Sequence, residues 1–149
     1  MKEITIDYAL RATWQAVARM YNEEAKQFGS TMAVGFTLLS LDPKKGTPST
    51  ALGPRMGMEA TSLSRILKSM EEKGLITRQP NPEDGRGVLL FLTDFGLEKR
   101  KDSKDAVLRF NEAVKAQTSP EKLDHFFEVM EIINKVVTQK KIYHTNNAK

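Results

Sequence analysis

The segment from residue 57 to residue 93 constrains the fold most, because a helical pattern changes there into two strand patterns. Residues 60–73 carry apolar side chains at helical spacing, and Gly74 follows as a typical helix stop. The runs LITRQ and VLLFL come next, separated by PNPEDGRG, which is rich in turn-forming residues. The pattern predicts a helix followed directly by a β-hairpin.

Helical patterns occupy most of the remaining chain. Residues 8–28 and 32–41 are expected to form helices, and after the loop DPKKGTPST a short helix, ALGPRMG, is expected to be capped by Thr50 or Ser49. Thr93 and Ser119 are placed to cap two final helices that end near residues 117 and 140. The order predicts a mainly α fold with a small β-hairpin wing, which is the winged helix-turn-helix arrangement.

The excess of positive charge lies in the middle third of the chain. Residues 44–101 carry 11 basic and 7 acidic groups, net +4, whereas residues 1–43 are net −1 and residues 102–149 net +1. A solvated surface would explain so mild an excess. The alternative is that this central part meets a polyanion such as DNA.

The helix at residues 60–73 has two different faces. Its apolar residues cluster on one side, and hydroxyls and cations lie opposite, so that an ordinary solvated face competes with a DNA-reading face. The DNA-binding interpretation of this face is favoured, because a short capped helix, a glycine turn, this helix and a basic hairpin follow one another in the sequence. An arginine here would pair with a guanine edge in the major groove, and Ser or Thr would serve bases or phosphates.

The hairpin loop at residues 80–87 raises the same choice between structure and function. Its glycines and prolines are explained by turn geometry alone. An arginine flanked by Gly85 and Gly87 is not, and we expect Arg86 to enter a minor groove while Asp84 orients it. The residues expected to contact DNA are Thr50, Arg55, Thr61, Ser62, Ser64, Arg65, Lys68, Arg78, Asp84 and Arg86.

The last helix is apolar on two nearly opposite sides and therefore needs two partners. One side is expected to face the chain itself, and the other a second copy, although a helix buried within one chain is the alternative. A two-fold dimer suits a pseudo-palindromic DNA operator. The side chains assigned to this interface are Ile4, Ile6, Val129, Ile132 and Val136.

The stretch TSLSRILKSMEEKGLITRQPNPEDGRGVLLFLTDFG, residues 61–96, resembles the multiple-antibiotic-resistance regulator (MarR) family of bacterial transcription factors. The matching motifs are MEEKGLI at residues 70–76, the Asp84/Arg86 pair and LTDFG at residues 92–96. The sequence departs from the family pattern at Gly85, where relatives often carry a second basic residue, and at Pro54. We therefore expect a wing with fewer charges and a weaker salt dependence than theirs.

The resemblance implies a single domain over residues 1–149, with a DNA-binding region at 44–96 and dimerisation helices at 1–40 and 97–149. It also implies a repressor that responds to a small aromatic or phenolic ligand bound between the dimerisation and winged regions. The candidate ligand-lining residues, for which ordinary core packing is the alternative, are Trp14, Tyr21, Met32 and Phe36.

Several other classes of function lack support in the sequence. The chain has no cysteine, which excludes disulfides and thiol chemistry, and its two histidines are not clustered with acids at metal-ligand spacing. No catalytic motif, cofactor motif, signal peptide or membrane-spanning run is apparent, so we expect a cytoplasmic protein that is not an enzyme. A winged-helix module that binds protein rather than DNA is the alternative function.

Overall fold

The computed structural model describes residues 3–144 and, for Arg86, the backbone alone. The chain forms two compact units, Met1–Val107 and Leu108–Lys149. The elements are α1 (Ile6–Lys26), α2 (Met32–Ser40), β1 (Thr47–Pro48), α3 (Ser49–Met56), α4 (Ala60–Glu72), β2 (Ile76–Asn81), β3 (Asp84–Leu92), α5 (Asp94–Ala116) and α6 (Pro120–Gln139). The expected mainly α fold with a hairpin wing is confirmed. None of the helices within residues 3–144 is both long and apolar enough to cross a membrane.

The hairpin belongs to a three-stranded antiparallel sheet in the order β1-β3-β2. The edge strand β1 was not expected, because two residues are too few to show an alternating pattern. Thr47 pairs with Leu90, and the Thr47 hydroxyl accepts a hydrogen bond of 3.0 Å from the Asp42 amide. Proline has no backbone N–H to donate, and Pro48 is tolerated because one side of an edge strand makes no hydrogen bonds to another strand.

The core of the first unit is built by the elements that surround the sheet. Leu38 from α2, Leu52 from α3 and Met70 from α4 are each at most 2% exposed. Ile76 and Leu90 of the wing strands are at most 1% exposed and belong to the same cluster. Helix α4 and the two wing strands therefore share one core.

Most of the expected helix ends are confirmed. Thr93 Oγ1 accepts from the Gly96 amide at 2.9 Å, and Ser119 Oγ accepts from the Lys122 amide at 3.2 Å. Gly74 has a left-handed backbone with φ of 75°, which is the helix stop that the sequence indicated.

The cap of α3 is a correction. The helix begins at Ser49 directly after β1, its N-cap residue is Pro48, and no side chain caps it, so neither Thr50 nor Ser49 has that role. Pairing of β1 with β3 places the start of the helix earlier than a local cap would. As a result Pro54 is the sixth residue of α3 instead of an early one, and its missing N–H falls inside the helix.

Candidate nucleic-acid interface and ligand pocket

The two faces of α4 are strongly different in exposure. Leu63, Leu67 and Met70 are at most 5% exposed and hold the helix on the core. The polar residues that the sequence assigned to DNA are exposed, namely Thr61, Ser62, Ser64, Arg65 and Lys68. No ion pair between the described side chains engages Arg65 or Lys68. Their charges are therefore available to an outside anion.

The turn between α3 and α4 sets the angle at which α4 is presented. Gly57 adopts φ of 62°, a left-handed conformation that glycine takes without strain. The Met58 amide donates to the Gly53 carbonyl at 3.0 Å, which closes the turn. Glu59 precedes α4 and makes no side-chain cap.

Arg55 has a structural partner. Its Nη1 donates to the Ser40 carbonyl at 3.2 Å, at the end of α2. A second arginine that sequence reasoning missed, Arg100 of α5, donates from Nε to the Leu38 carbonyl at 3.2 Å. Both guanidinium groups satisfy carbonyls in the last turn of α2, where a helix favours positive charge. Arg55 is exposed, but its guanidinium already has this partner within the chain, and its DNA contact stays a prediction.

The two strands of the wing are longer, and the turn between them is shorter, than the sequence predicted. Strands β2 and β3 reach Asn81 and Asp84, which pair, so the loop predicted at residues 80–87 shortens to Pro82 and Glu83. Asn81 Oδ1 accepts from the Glu83 amide at 3.0 Å and stabilises this turn. A register shift between Pro80 and Asn81 accommodates three residues of β3, Gly85 to Gly87, between the pairs Pro80–Val88 and Asn81–Asp84.

The carboxylate of Asp84 lies over the backbone of Gly87. A Cβ placed on Gly87 would lie 3.2 Å from Asp84 Oδ2, so glycine permits this close approach. The backbone of Arg86 is part of β3, while its side chain lies outside the described part of the chain. The expected pairing of Asp84 with Arg86 therefore stays a prediction.

Arg78 also has an internal partner. Its Nε lies 3.0 Å from Oε2 of Glu71, near the end of α4. The two side chains are 37% and 44% exposed, so the pair lies at the surface.

The exposed Thr50 shows neither a cap nor another partner within the described hydrogen bonds, and its DNA contact stays a prediction.

A cavity of about 130 Å³ lies in the first unit between the end of α1, α2 and the start of α5. Three of the residues predicted to line a ligand site, Tyr21, Met32 and Phe36, line it. Trp14 is not among the lining residues, but its ring stacks on Phe36 with centroids 6.4 Å apart. Tyr21 meets the same Phe36 ring edge-on at 5.6 Å.

The pocket has two lysines and two carboxylates, those of Glu24 and Asp102, on an otherwise largely apolar wall. Lys73, which ends α4, and Lys99 of α5 both line it. Lys99 Nζ lies 3.7 Å from Asp102 Oδ2 and 5.6 Å from the centre of the Phe95 ring. Burial raises the pKa of Tyr21, so its phenol remains protonated at neutral pH. Such a site can hold a flat, largely apolar molecule with a polar or charged edge.

The side chains assigned to a dimer interface are exposed. In the first unit Ile4 and Ile6 are 72% and 65% exposed. In the second unit Val129, Ile132 and Val136 are 42–54% exposed. Large apolar side chains in these positions are available for contact with another molecule, and the dimer itself stays a prediction.

The model of the MarR family matches residues 31–88, which contain α2, α3, α4 and most of the wing. An HTH-type transcriptional regulator of Bacillus subtilis, YdgJ, is 33% identical over 79 residues, which are 53% of this chain and 48% of that protein. The chain thus spans about half the length of this curated relative. The relatives that it matches are transcriptional regulators and not enzymes, as the sequence predicted.

Solved structures agree with this assignment of the fold. The Staphylococcus aureus MepR–DNA complex has a TM-score of 0.83 at 20% identity and covers 90% of this chain and 99% of that one. PcaV from Streptomyces coelicolor, in complex with its natural ligand, has a TM-score of 0.76 at 22% identity, with 92% and 99% covered. The resemblance read from residues 61–96 is confirmed by the match of residues 31–88 to the model of the MarR family.

Proposed function

We propose that this chain is a dimeric, sequence-specific DNA-binding transcriptional regulator. The observation that carries the proposal is the α4 helix, whose apolar face is buried while its hydroxyls and cations face outward. The MepR structure of similar fold is a complex with DNA, which supports the same partner for this chain. An α-helix of this width fits the major groove.

Within α4, Arg65 is the residue proposed to read a base. It is exposed, it lies in the first half of the helix, and none of the described ion pairs engages it. A two-pronged contact from its guanidinium to a guanine would give sequence preference. Lys68, one turn further along the helix, is assigned to a phosphate, which adds affinity without sequence preference.

The wing is proposed to enter the minor groove on one side of α4. Its turn is only two residues long, Pro82 and Glu83, which makes the hairpin narrow. We assign Arg86 to the groove and Asp84 to orienting it, on the sequence pattern and the place of both residues in β3. A second copy of the chain, joined through the exposed apolar residues of both chain ends, would present a second α4 to the adjacent half-site.

Regulation is proposed to act through the pocket in the first unit, with repression relieved by a small aromatic anion. PcaV, similar in fold, was solved with a natural ligand. Lys73 ends α4 and lines the pocket, so a bound anion would touch the end of the reading helix itself. A ligand that binds one orientation of α4 better than another shifts the population between them.

The test begins with selection of duplexes from a random-sequence DNA library by the wild-type protein. Arg65→Ala should cost about 1–3 kcal/mol on the selected duplex and relax preference at one base position, measured by gel shift. Lys101→Ala, which removes one exposed charge from α5, is the matched control and should leave that preference intact. A protein-binding winged-helix module would instead enrich no duplex and show no salt-dependent binding.

A further inference from the structure

Among the described side chains, one ion pair joins α4 to the wing: Arg78 Nε lies 3.0 Å from Glu71 Oε2. We propose that Glu71 and Arg78 are positioning residues that hold the wing at a defined angle to the reading helix, and that Arg78 does not contact DNA. The inference rests on the proposed DNA-binding function. Arg78 was predicted from the sequence to contact DNA, and the proposal assigns it a different role.

The register of the sheet explains why Arg78 turns toward α4. Alternate residues of a strand share one face, and Ile76, two residues before Arg78, is 1% exposed in the core. Leu90, directly opposite Arg78 on β3, is completely buried. Arg78 therefore starts from the core face of the sheet, the face that packs against α4, and its guanidinium emerges at the edge beside Glu71.

The helix end of the pair is held firmly. Glu71 is the penultimate residue of α4, and its neighbour Met70 is completely buried in the core. The carboxylate is therefore tied to the part of the molecule whose orientation the core determines. A contact from this carboxylate to β2 transmits that orientation to the strand.

Beyond Arg78 the described contact of the wing with the core is made by Val88, which pairs with Pro80 and is half-buried. Gln79 and Pro80 are exposed, and the hairpin continues for a few residues to its turn at Pro82. Three residues of strand span about 10 Å, so a tilt of about 10° at Arg78 moves the tip by roughly 2 Å. Shifts of that size are enough to disrupt a specific contact. One weak pair at the base of the wing can therefore affect recognition at its tip.

The pairing also has an electrostatic consequence. An arginine that neutralises one phosphate contributes about 0.9 to the slope of log affinity against log salt concentration. An arginine already paired with a carboxylate releases no counterion from DNA. Positioning and direct contact therefore predict different salt slopes for the same substitution.

The experiment is a double-mutant cycle with Glu71→Gln and Arg78→Gln, on the duplex that the wild-type protein selects from a random library. Each single variant should weaken binding about two- to fivefold, as expected from an exposed ion pair, and the double variant should bind no more weakly than either. The salt slope of Arg78→Gln should equal that of the wild type. The swapped protein, Glu71→Arg with Arg78→Glu, should recover most of the affinity.

Three results would overturn the inference. One is a slope for Arg78→Gln that is smaller by about 0.9, which is the signature of a phosphate contact. Another is tighter binding by Glu71→Gln, because then the carboxylate acts only by repelling DNA. The third is additive losses in the double variant. Failure of the wild type to enrich any duplex would refute the DNA-binding function itself, and is seen before any variant is made. Urea midpoints of all variants verify that folding is intact.

Discussion

Replacement of Gly96 by alanine should destabilise the protein severely, although alanine is the better helix former. Gly96 is buried in the first turn of α5, and a Cβ added to it would overlap the carbonyl oxygen of Leu75. The obstacle is backbone, which cannot rotate away as a side chain can. The start of α5 would have to move by roughly 1 Å to restore van der Waals separation.

That movement would break the junction between α4 and α5. The Thr93 hydroxyl donates to the Gly74 carbonyl at 2.6 Å, and the Thr93 amide donates to the Leu75 carbonyl at 3.1 Å. Loss of these two bonds costs about 1 kcal/mol each, and overpacking costs about 1–3 kcal/mol. The higher helix propensity of alanine returns about 1 kcal/mol at most. The net loss is about 2–4 kcal/mol.

The measurement is urea unfolding at one fixed protein concentration, because self-association would make the midpoint depend on concentration. The matched control is Gly35→Ala in α2, whose new Cβ would meet only the Ser103 hydroxyl at 3.3 Å. We expect the free energy of unfolding of this control to stay within about 0.5 kcal/mol of the wild type or to rise. If Gly96→Ala were as stable as the wild type, the close packing of α5 on Leu75 would be refuted.

Two further predictions concern the ionisable groups. Asp42 accepts hydrogen bonds from the Lys44 and Lys45 amides at 2.8 and 2.9 Å, which, as the largest cause, lower its pKa. Its contribution to stability is therefore present above the unfolded pKa, near 3.9, and is lost as pH falls below about 4, so Asp42→Asn should flatten the acid limb of urea midpoint against pH. Lys99→Met should reduce any preference of the pocket for benzoate over phenol, because one of its two lysines is removed while the apolar wall stays. Trp14, the one tryptophan of the chain, stacks on the pocket residue Phe36, so its fluorescence reports binding; a preference for benzoate that is undiminished in Lys99→Met would contradict the assignment.

Features that depend on neighbouring residues were predictable from the sequence. Thr93 and Ser119 cap their helices, and Gly57 and Gly74 end theirs, because a hydroxyl before a helix or a glycine after one acts within a few residues. The buried face of α4 followed in the same way from helical spacing. These local signals were sufficient for the fold of the winged part and for its resemblance to the MarR family.

Features that depend on distant residues were not predictable. Thr50 looked like the cap of a helix that starts at Ala51, yet pairing of β1 with β3, more than forty positions apart at Thr47 and Leu90, starts α3 two residues earlier, at Ser49. The hairpin loop looked eight residues long, yet strand register carries the ladder to Asn81 and Asp84. In both places hydrogen bonds made by the whole sheet override the local preference of a turn or cap residue.

The same distinction changes how the basic middle third should be interpreted. Its net charge of +4 suggested a surface devoted to a polyanion, but charge counting cannot tell a free cation from one that holds the protein together. Arg55 and Arg100 donate hydrogen bonds to carbonyl groups at the end of α2, and Arg78 pairs with Glu71. These three contacts organise the frame that presents α4. The salt dependence of DNA binding should accordingly be smaller than the number of basic residues implies, with Arg65 and the lysine one turn beyond it as the principal contributors from α4.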